Sequence, residues 1–237
     1  MARKSTRRRK VRPRGGKGKI KGRRRRRRLA PDERERLIAQ AAVYFFAEHG
    51  FEGQTRELAR RLGIAQPLLY RYFPSKHALI ERVYREVFVD PWRDEWFAVL
   101  ADRTRPLRER LTYFYREYAR TAMGYERVRL FVLAGLEGGL DLNARFFNMM
   151  RERVFTAVLR EIRHAYNMPT LDQRPMSEIE AELVWMLHSA IFYIGIRRWI
   201  YGLQVPDAMD PVIEAMVATF LEGIPKEVAV LTGAEPA

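Results

Sequence analysis

The 237-residue chain has a formal charge of +15 and no cysteine, which excludes a disulfide framework and accords with a reducing, cytoplasmic compartment. The charge is segregated: residues 1–28 hold 17 Lys and Arg and no Asp or Glu, so residues 29–237 sum to −2. The longest apolar run, Leu183 to Ile196, is 14 residues with His188 and Ser189 inside it, too short for a membrane span and suited to a buried helix.

Residues 1–29 read as a disordered basic arm. Gly15-Gly16 and a near absence of apolar side chains leave nothing to offset the entropy of ordering. A charged amphipathic segment follows it rather than the apolar stretch of a secretory signal, and a transit peptide has only Ser5 and Thr6 in support. The hexa-arginine run at 23–28 sits beside a helix N-terminus, the wrong end for cations, so its use is an external anion. Such an arm tracks phosphates or enters an A·T-rich minor groove. The other readings are a solubility or targeting run, or a misassigned start.

The first helix is expected over residues 31–48. Leu37-Ile38, Ala41-Ala42 and Phe45-Phe46 recur every four residues, Asp32, Glu33 and Glu35 occupy the first turn, Pro31 suits the first helical position and Gly50 the stop. A second, Arg56 to Leu62, is expected with Thr55 as cap and Gly63 as end; a third runs from Gln66 to Tyr72; Ser75 caps a fourth to about Phe88. Long helices follow at 106–122, 126–136, 143–166, 177–202 and 209–222, punctuated by Pro106, Gly124, Gly138-Gly139, Pro169, Pro175, Pro206 and Pro225. No stretch alternates with period two, and there is no internal repeat. The fold class is all-α.

In Thr55 to Lys76, Leu58, Leu62, Ile64 and Leu69 can point inward, leaving Arg56, Gln66, Pro67, Leu68, Tyr70 and Arg71 outside. Two short helices joined by a glycine turn form a helix-turn-helix, whose second helix reads the DNA major groove from its N-terminal end. Pro67 is tolerated because first-turn N–H groups lack intrahelical partners. Gln66 matches adenine, Leu68 meets a thymine methyl, and Arg71 reaches guanine or phosphate.

The run "TRELARRLGIAQPLLYRYFPSKHALIERV", preceded by "AAVYFFAEHGFEG", resembles the DNA-binding domain of TetR-family transcriptional regulators over residues 33–88. It departs from the pattern at Ala65, where a capping hydroxyl is usual, and at Leu68, where a small or hydroxyl residue is common. The resemblance implies that Thr55 and Arg56 meet the DNA backbone, that Gln66, Pro67, Leu68, Tyr70 and Arg71 line the major groove, and that Tyr72 and Lys76 contact phosphate. Tyr72 is equally a packing residue. The layout implied is a helix-turn-helix domain at 30–78, a helical effector-binding and dimerisation domain at 79–225 and a C-terminal tail at 226–237.

Family members keep a ligand cavity among helices like the later ones here. His188 is the candidate anchor, with Tyr118 and Trp185 as walls; the alternative is a histidine hydrogen-bonded in an ordinary core. The last two helices carry wide apolar faces, Ile191, Ile194 and Trp199, then Val212, Ile213, Met216, Val217 and Phe220. They serve either a four-helix dimer interface or closure of the monomer core. Catalysis finds no motif: no G-x-S-x-G, no Walker loop, no H-E-x-x-H, and four histidines without metal-ligand spacing. No cofactor, metal or membrane is expected. The reading is a cytoplasmic regulator, usually a repressor, binding a palindromic DNA operator as a homodimer and released by a small-molecule effector, with the fourth helix as mechanical link. The alternative is a nonspecific nucleic-acid-coating protein dominated by its basic arm.

Overall fold

The computed structural model describes residues 30–137 and 141–233. The expectations for the basic arm and for the Gly138-Gly139 turn lie outside them. The described residues are helical throughout, with no strand.

Helix α1, Pro31–His49, has Pro31 in its first turn with Asp32 and Glu33, and stops at Gly50, whose φ of 73° suits glycine and whose N–H donates to Phe46 O at 2.9 Å. Its buried face is Ile38, Ala39, Ala42, Val43, Phe45, Phe46 and Ala47, while Leu37 is exposed. Helix α2, Thr55–Leu62, ends at Gly63 in the left-handed conformation, φ 64°. Helix α3 is Gln66–Tyr72 and α4 is Lys76–Tyr84, the latter capped by Ser75 Oγ accepting from Ala78 N at 3.0 Å. The helical path of α4 continues through a π turn, Arg85–Val89.

Helix α5, Asp94–Ala101, was not foreseen. It is one 8-residue segment between Pro91 and Pro106, too short to display a period, and is held by buried Trp96 and Leu100. Then come α6, Leu107–Ala122, and α7, Tyr125–Glu137. The expected helix over 143–166 is α8, Leu142–Met149, a second π turn, Met150–Phe155, and α9, Thr156–Ala165. Helix α10, Glu178–Trp199, opens on a capping box in which Ser177 Oγ accepts from Glu180 N and the Glu180 carboxylate accepts from Ser177 N. By length and composition α10 could cross a membrane, yet it packs in the bundle through Val184, Leu187, His188, Ile191 and Ile194.

Helix α11 is Met209–Thr232, so residues 226–232 are not a tail. Pro225 lies inside it, where its missing N–H deprives the preceding turn of a bond. Burial of Ile224, Pro225, Val228, Ala229 and Thr232 keeps the helix going. One apolar core runs without interruption from Ile38 in α1 to Ala229 in α11. Two ion pairs cross it: Arg110 bonds Glu161 at 2.7 Å, assisted by Arg103, and Arg163 bonds Glu180 at 2.7 Å. Burial raises the pKa of Glu161, but the hydrogen bonds from Arg103 and Arg110 outweigh it and hold the carboxyl below its ordinary value.

Candidate nucleic-acid interface and interior pocket

Helices α2 and α3 meet through side chains that the local sequence does not announce as partners. Thr55 is at the first helical position of α2, not at its cap, and is buried. Its hydroxyl pairs with Tyr70 Oη at 2.8 Å and accepts from Gln66 Nε2 at 3.1 Å. Thr55 is therefore a brace between the two helices rather than a residue facing outward. Leu69 is the fully buried anchor of α3, and Phe73 is buried just beyond it. Leu62 and Ile64 are only half-buried, packed against the core edge.

That arrangement fixes what α3 shows. Pro67 and Arg71 are exposed; Gln66, Leu68, Tyr70 and Tyr72 are half-buried. Ala65 supplies no side-chain cap, Pro67 has no N–H and Leu68 N donates to Ala65 O at 2.9 Å, so Gln66 N is the uncapped donor of that turn. Arg71 lies over the Tyr72 ring at 5.6 Å. On α2, Arg60 and Arg61 are committed to Glu57 and Glu48. The Glu57 carboxyl is held down at about 2, chiefly by its hydrogen bond from Arg60. Among the described residues Arg56, Arg71 and Lys76 join no ion pair. They are the cations of this face still available to a phosphate.

The three candidate pocket residues come together in the bundle. The Tyr118 ring lies 4.1 Å from His188 centroid to centroid, and Trp185 lies 5.5 Å from it. His188 and Tyr118 are buried and Trp185 half-buried. Burial, then the charge of Arg127, depresses the His188 pKa to about 3, so the imidazole is neutral near pH 7. A small interior cavity of about 30 Å³ is lined by Phe88, Tyr118, Arg127, Phe131, Phe146, His188 and Phe192. Trp185 is not among its walls; it packs on Phe147 and Phe155.

The residue that sequence reasoning missed is Arg127. Burial lowers its pKa to about 10, so it stays a cation at neutral pH. It shares an i, i+4, i+7 face with Phe131 and Ala134, which pack on the core, and that spacing was the available signal. Helix α7 also holds the front of the molecule. Arg127 Nη1 donates to Val87 O in the π turn at 2.8 Å, and Arg129 Nε donates to Ala47 O near the end of α1 at 2.6 Å. Glu137 accepts from Phe51 N at 2.7 Å and Glu52 N at 3.2 Å, in the turn before α2.

Outside the bundle, Ile179, Met186 and Tyr193 are exposed at seven-residue intervals along α10. Beside them an apolar groove of about 640 Å³ runs between α10 and α11, lined by Met186, Ala190, Val212, Met216, Thr219 and Gly223 among others.

A helix-turn-helix set on a helical bundle defines a class of DNA-binding proteins. Residues 38–83 match the family of bacterial regulatory proteins described as the tetR family. The chain is similar to the class A tetracycline repressor from transposon 1721 of Escherichia coli, 30% identical over 145 residues, covering 52% of this chain and 65% of that repressor. It is similar also to the class D tetracycline repressor of Escherichia coli, 27% identical over 197 residues, 74% of this chain and 88% of the repressor. Among solved structures, a TetR-like transcriptional regulator from Rhodococcus sp. RHA1 superposes with a TM-score of 0.60 at 20% identity, covering 83% of this chain and all of that one. Residues 38–83 thus match the TetR-family DNA-binding domain, and the described chain shares the fold of TetR-like regulators.

Proposed function

We propose that this protein is a cytoplasmic transcriptional repressor that binds a palindromic operator as a homodimer and is released from it by a small-molecule effector. The observation that carries this reading is the face of α3: Leu69 and the Thr55 brace seat the helix, and Pro67 and Arg71 remain outward with half-buried Gln66, Leu68 and Tyr70 beside them. Gln66, Leu68, Tyr70 and Arg71 read the major groove, and Arg56, Tyr72 and Lys76 meet phosphate. Thr55 acts by positioning Gln66 and Tyr70.

A palindrome requires two recognition helices about 34–36 Å apart, hence two chains. The stripe of Ile179, Met186 and Tyr193 and the groove between α10 and α11 support a four-helix interface with a second copy. Release is a shift between two arrangements of that dimer, biased by an effector that prefers the one with misplaced α3 helices. Both α4 and α7 transmit it, because α7 touches the interior cavity, the π turn, the end of α1 and the turn before α2.

The test is selection of bound sequences from a random duplex pool at about 150 mM salt, where nonspecific phosphate binding is weak. Full-length protein and protein lacking residues 1–28 are both selected. A common palindrome enriched by both supports the repressor. No enrichment, with binding lost along with residues 1–28, replaces this reading with a nucleic-acid-coating protein driven by the 17 Lys and Arg of that segment.

A further inference from the structure

The interior cavity has a polarity that its aromatic walls do not suggest. Three arginines are buried in the described residues, and two of them face carboxylates: Arg110 on Glu161 and Arg163 on Glu180. Arg127, 5% exposed, has no acidic partner among the described residues, and its Nη2 makes no hydrogen bond. His188, 2% exposed, leaves Nδ1 without a partner. Both side chains line the same small cavity.

Rings of Phe88, Phe146 and Trp92 lie 5.4, 5.5 and 6.0 Å from the Arg127 guanidinium. Their faces steady the cation but accept no conventional hydrogen bond from Nη2. A water fits a cavity of about 30 Å³ and can satisfy the bonds, yet it leaves the charge unmatched, which is strongly unfavourable in a buried site. The complement of a buried guanidinium beside a neutral imidazole is an anion with two acceptor oxygens. The cavity has room for such a head group and not for the body of a ligand.

Arg127 also lines an open cleft of about 490 Å³ between α1, the π turn and the α6–α7 turn. Val43, Tyr44, Val87 and Pro91 give that cleft an apolar wall, and Glu86 and Glu126 stand among its lining residues. Glu86 is paired with Arg82 at 2.8 Å, so among the described residues Glu126 is the unpaired carboxylate there, and one buried cation beside it favours a single negative charge over a phosphate dianion. Resting on the reading of an effector-released repressor, we propose that the effector is an apolar or aromatic monocarboxylate, its carboxylate seated on Arg127 and His188 and its body in the cleft against α1. The carboxylate competes with Val87 O for Arg127, and the body wedges α1 from α6 and α7, so occupancy re-aims the helix-turn-helix.

The test measures binding to the full-length protein without DNA, by titration calorimetry and thermal unfolding. The probes are benzoate, 4-phenylbutyrate and octanoate, each against its neutral amide, at up to millimolar concentration. The expected result is that a carboxylate binds and raises the unfolding midpoint while its amide does not, and that Arg127→Met weakens binding at least about tenfold. His188→Phe weakens it as well, and gives a second reading should Arg127→Met fold poorly. Equal binding of carboxylate and amide, no carboxylate binding, or unchanged affinity in both variants overturns the proposal. Carboxylate bound through Arg127 without release of operator DNA removes the effector-release reading instead. Release by a neutral compound alone, with no carboxylate bound, removes this proposal and keeps that reading.

Discussion

The helix-turn-helix and the bundle behind it leave polar groups unmatched in opposite places. In α2 and α3 the buried polar atoms are satisfied, Thr55 holding Tyr70 and Gln66, while the unmatched cations Arg56 and Arg71 stand on the surface. In the bundle many surface arginines are paired, Arg116 and Arg120 with Asp210 and Arg151 with Glu178, while of the three buried arginines in the described residues Arg127 has no carboxylate. An unmatched charge on a convex helix suits a long polyanion; an unmatched charge in a small interior cavity suits a small one. The contrast assigns one partner to each region from the same principle.

The comparison is broken most severely where the bundle does match its charges. Glu180→Ala leaves Arg163 buried without its carboxylate and removes half of the α10 capping box. Chemical denaturation is expected to show a loss of about 3–5 kcal/mol, with far less lost for a neutral substitution at Arg71.

The next effect sharpens the account of the cavity. The folded His188 imidazole has its pKa lowered from 6.5 to about 3. Between those values the unfolded chain takes up a proton that the folded chain refuses, so this contribution to stability is full above pH 6.5 and falls as the pH falls. The slope is up to about 1.4 kcal/mol per pH unit, or about 2–3 kcal/mol between pH 6.5 and 4.5. From pH 6.5 to 4.5 wild type is expected to lose this amount of stability relative to His188→Phe, and parallel pH dependences would remove His188 as the cause.

Smaller still is the change at the outer face. Arg71→Ala is expected to weaken operator binding by about 1–3 kcal/mol, or, if the contact is to phosphate, to lower the salt slope by about one. Stability should move by no more than about 0.5 kcal/mol. A loss of stability without a change in binding would make Arg71 a packing residue. Thr55→Val, by contrast, should lower both, costing about 1 kcal/mol of stability and releasing Tyr70 and Gln66 from their positions. Circular dichroism melts and operator titrations on the same samples separate the two outcomes.

The first four helices were legible because their signals are local. Pro31, the Gly50 and Gly63 stops, the Ser75 cap and the period of the apolar residues each act within one turn. What local rules miss is set by distant partners. Thr55 looks like a cap until Tyr70, 15 residues away, takes its hydroxyl. Arg127 looks like a solvated arginine until Val87 and three aromatic rings from outside its helix enclose it. Pro225 looks like a stop until the residues after it are seen to be buried. The joining of Tyr118 and His188 at one cavity was legible only as a pair of aromatic-rich helices, and the cavity's charge was not legible at all.

The π turn Arg85–Val89 bears on how the molecule tolerates changes in chain length. Such a turn holds one residue more than an α turn while leaving the helix on either side in phase. Loss of one residue there is absorbed by reverting to the tighter winding, and the direction in which α3 points is kept. Loss of one residue within Lys76–Tyr84 has no such slack and turns everything before it by about 100° around the helix axis. The joint between reader and sensor is thus also the one place along that helix where a codon can be lost without turning the reader away from its target.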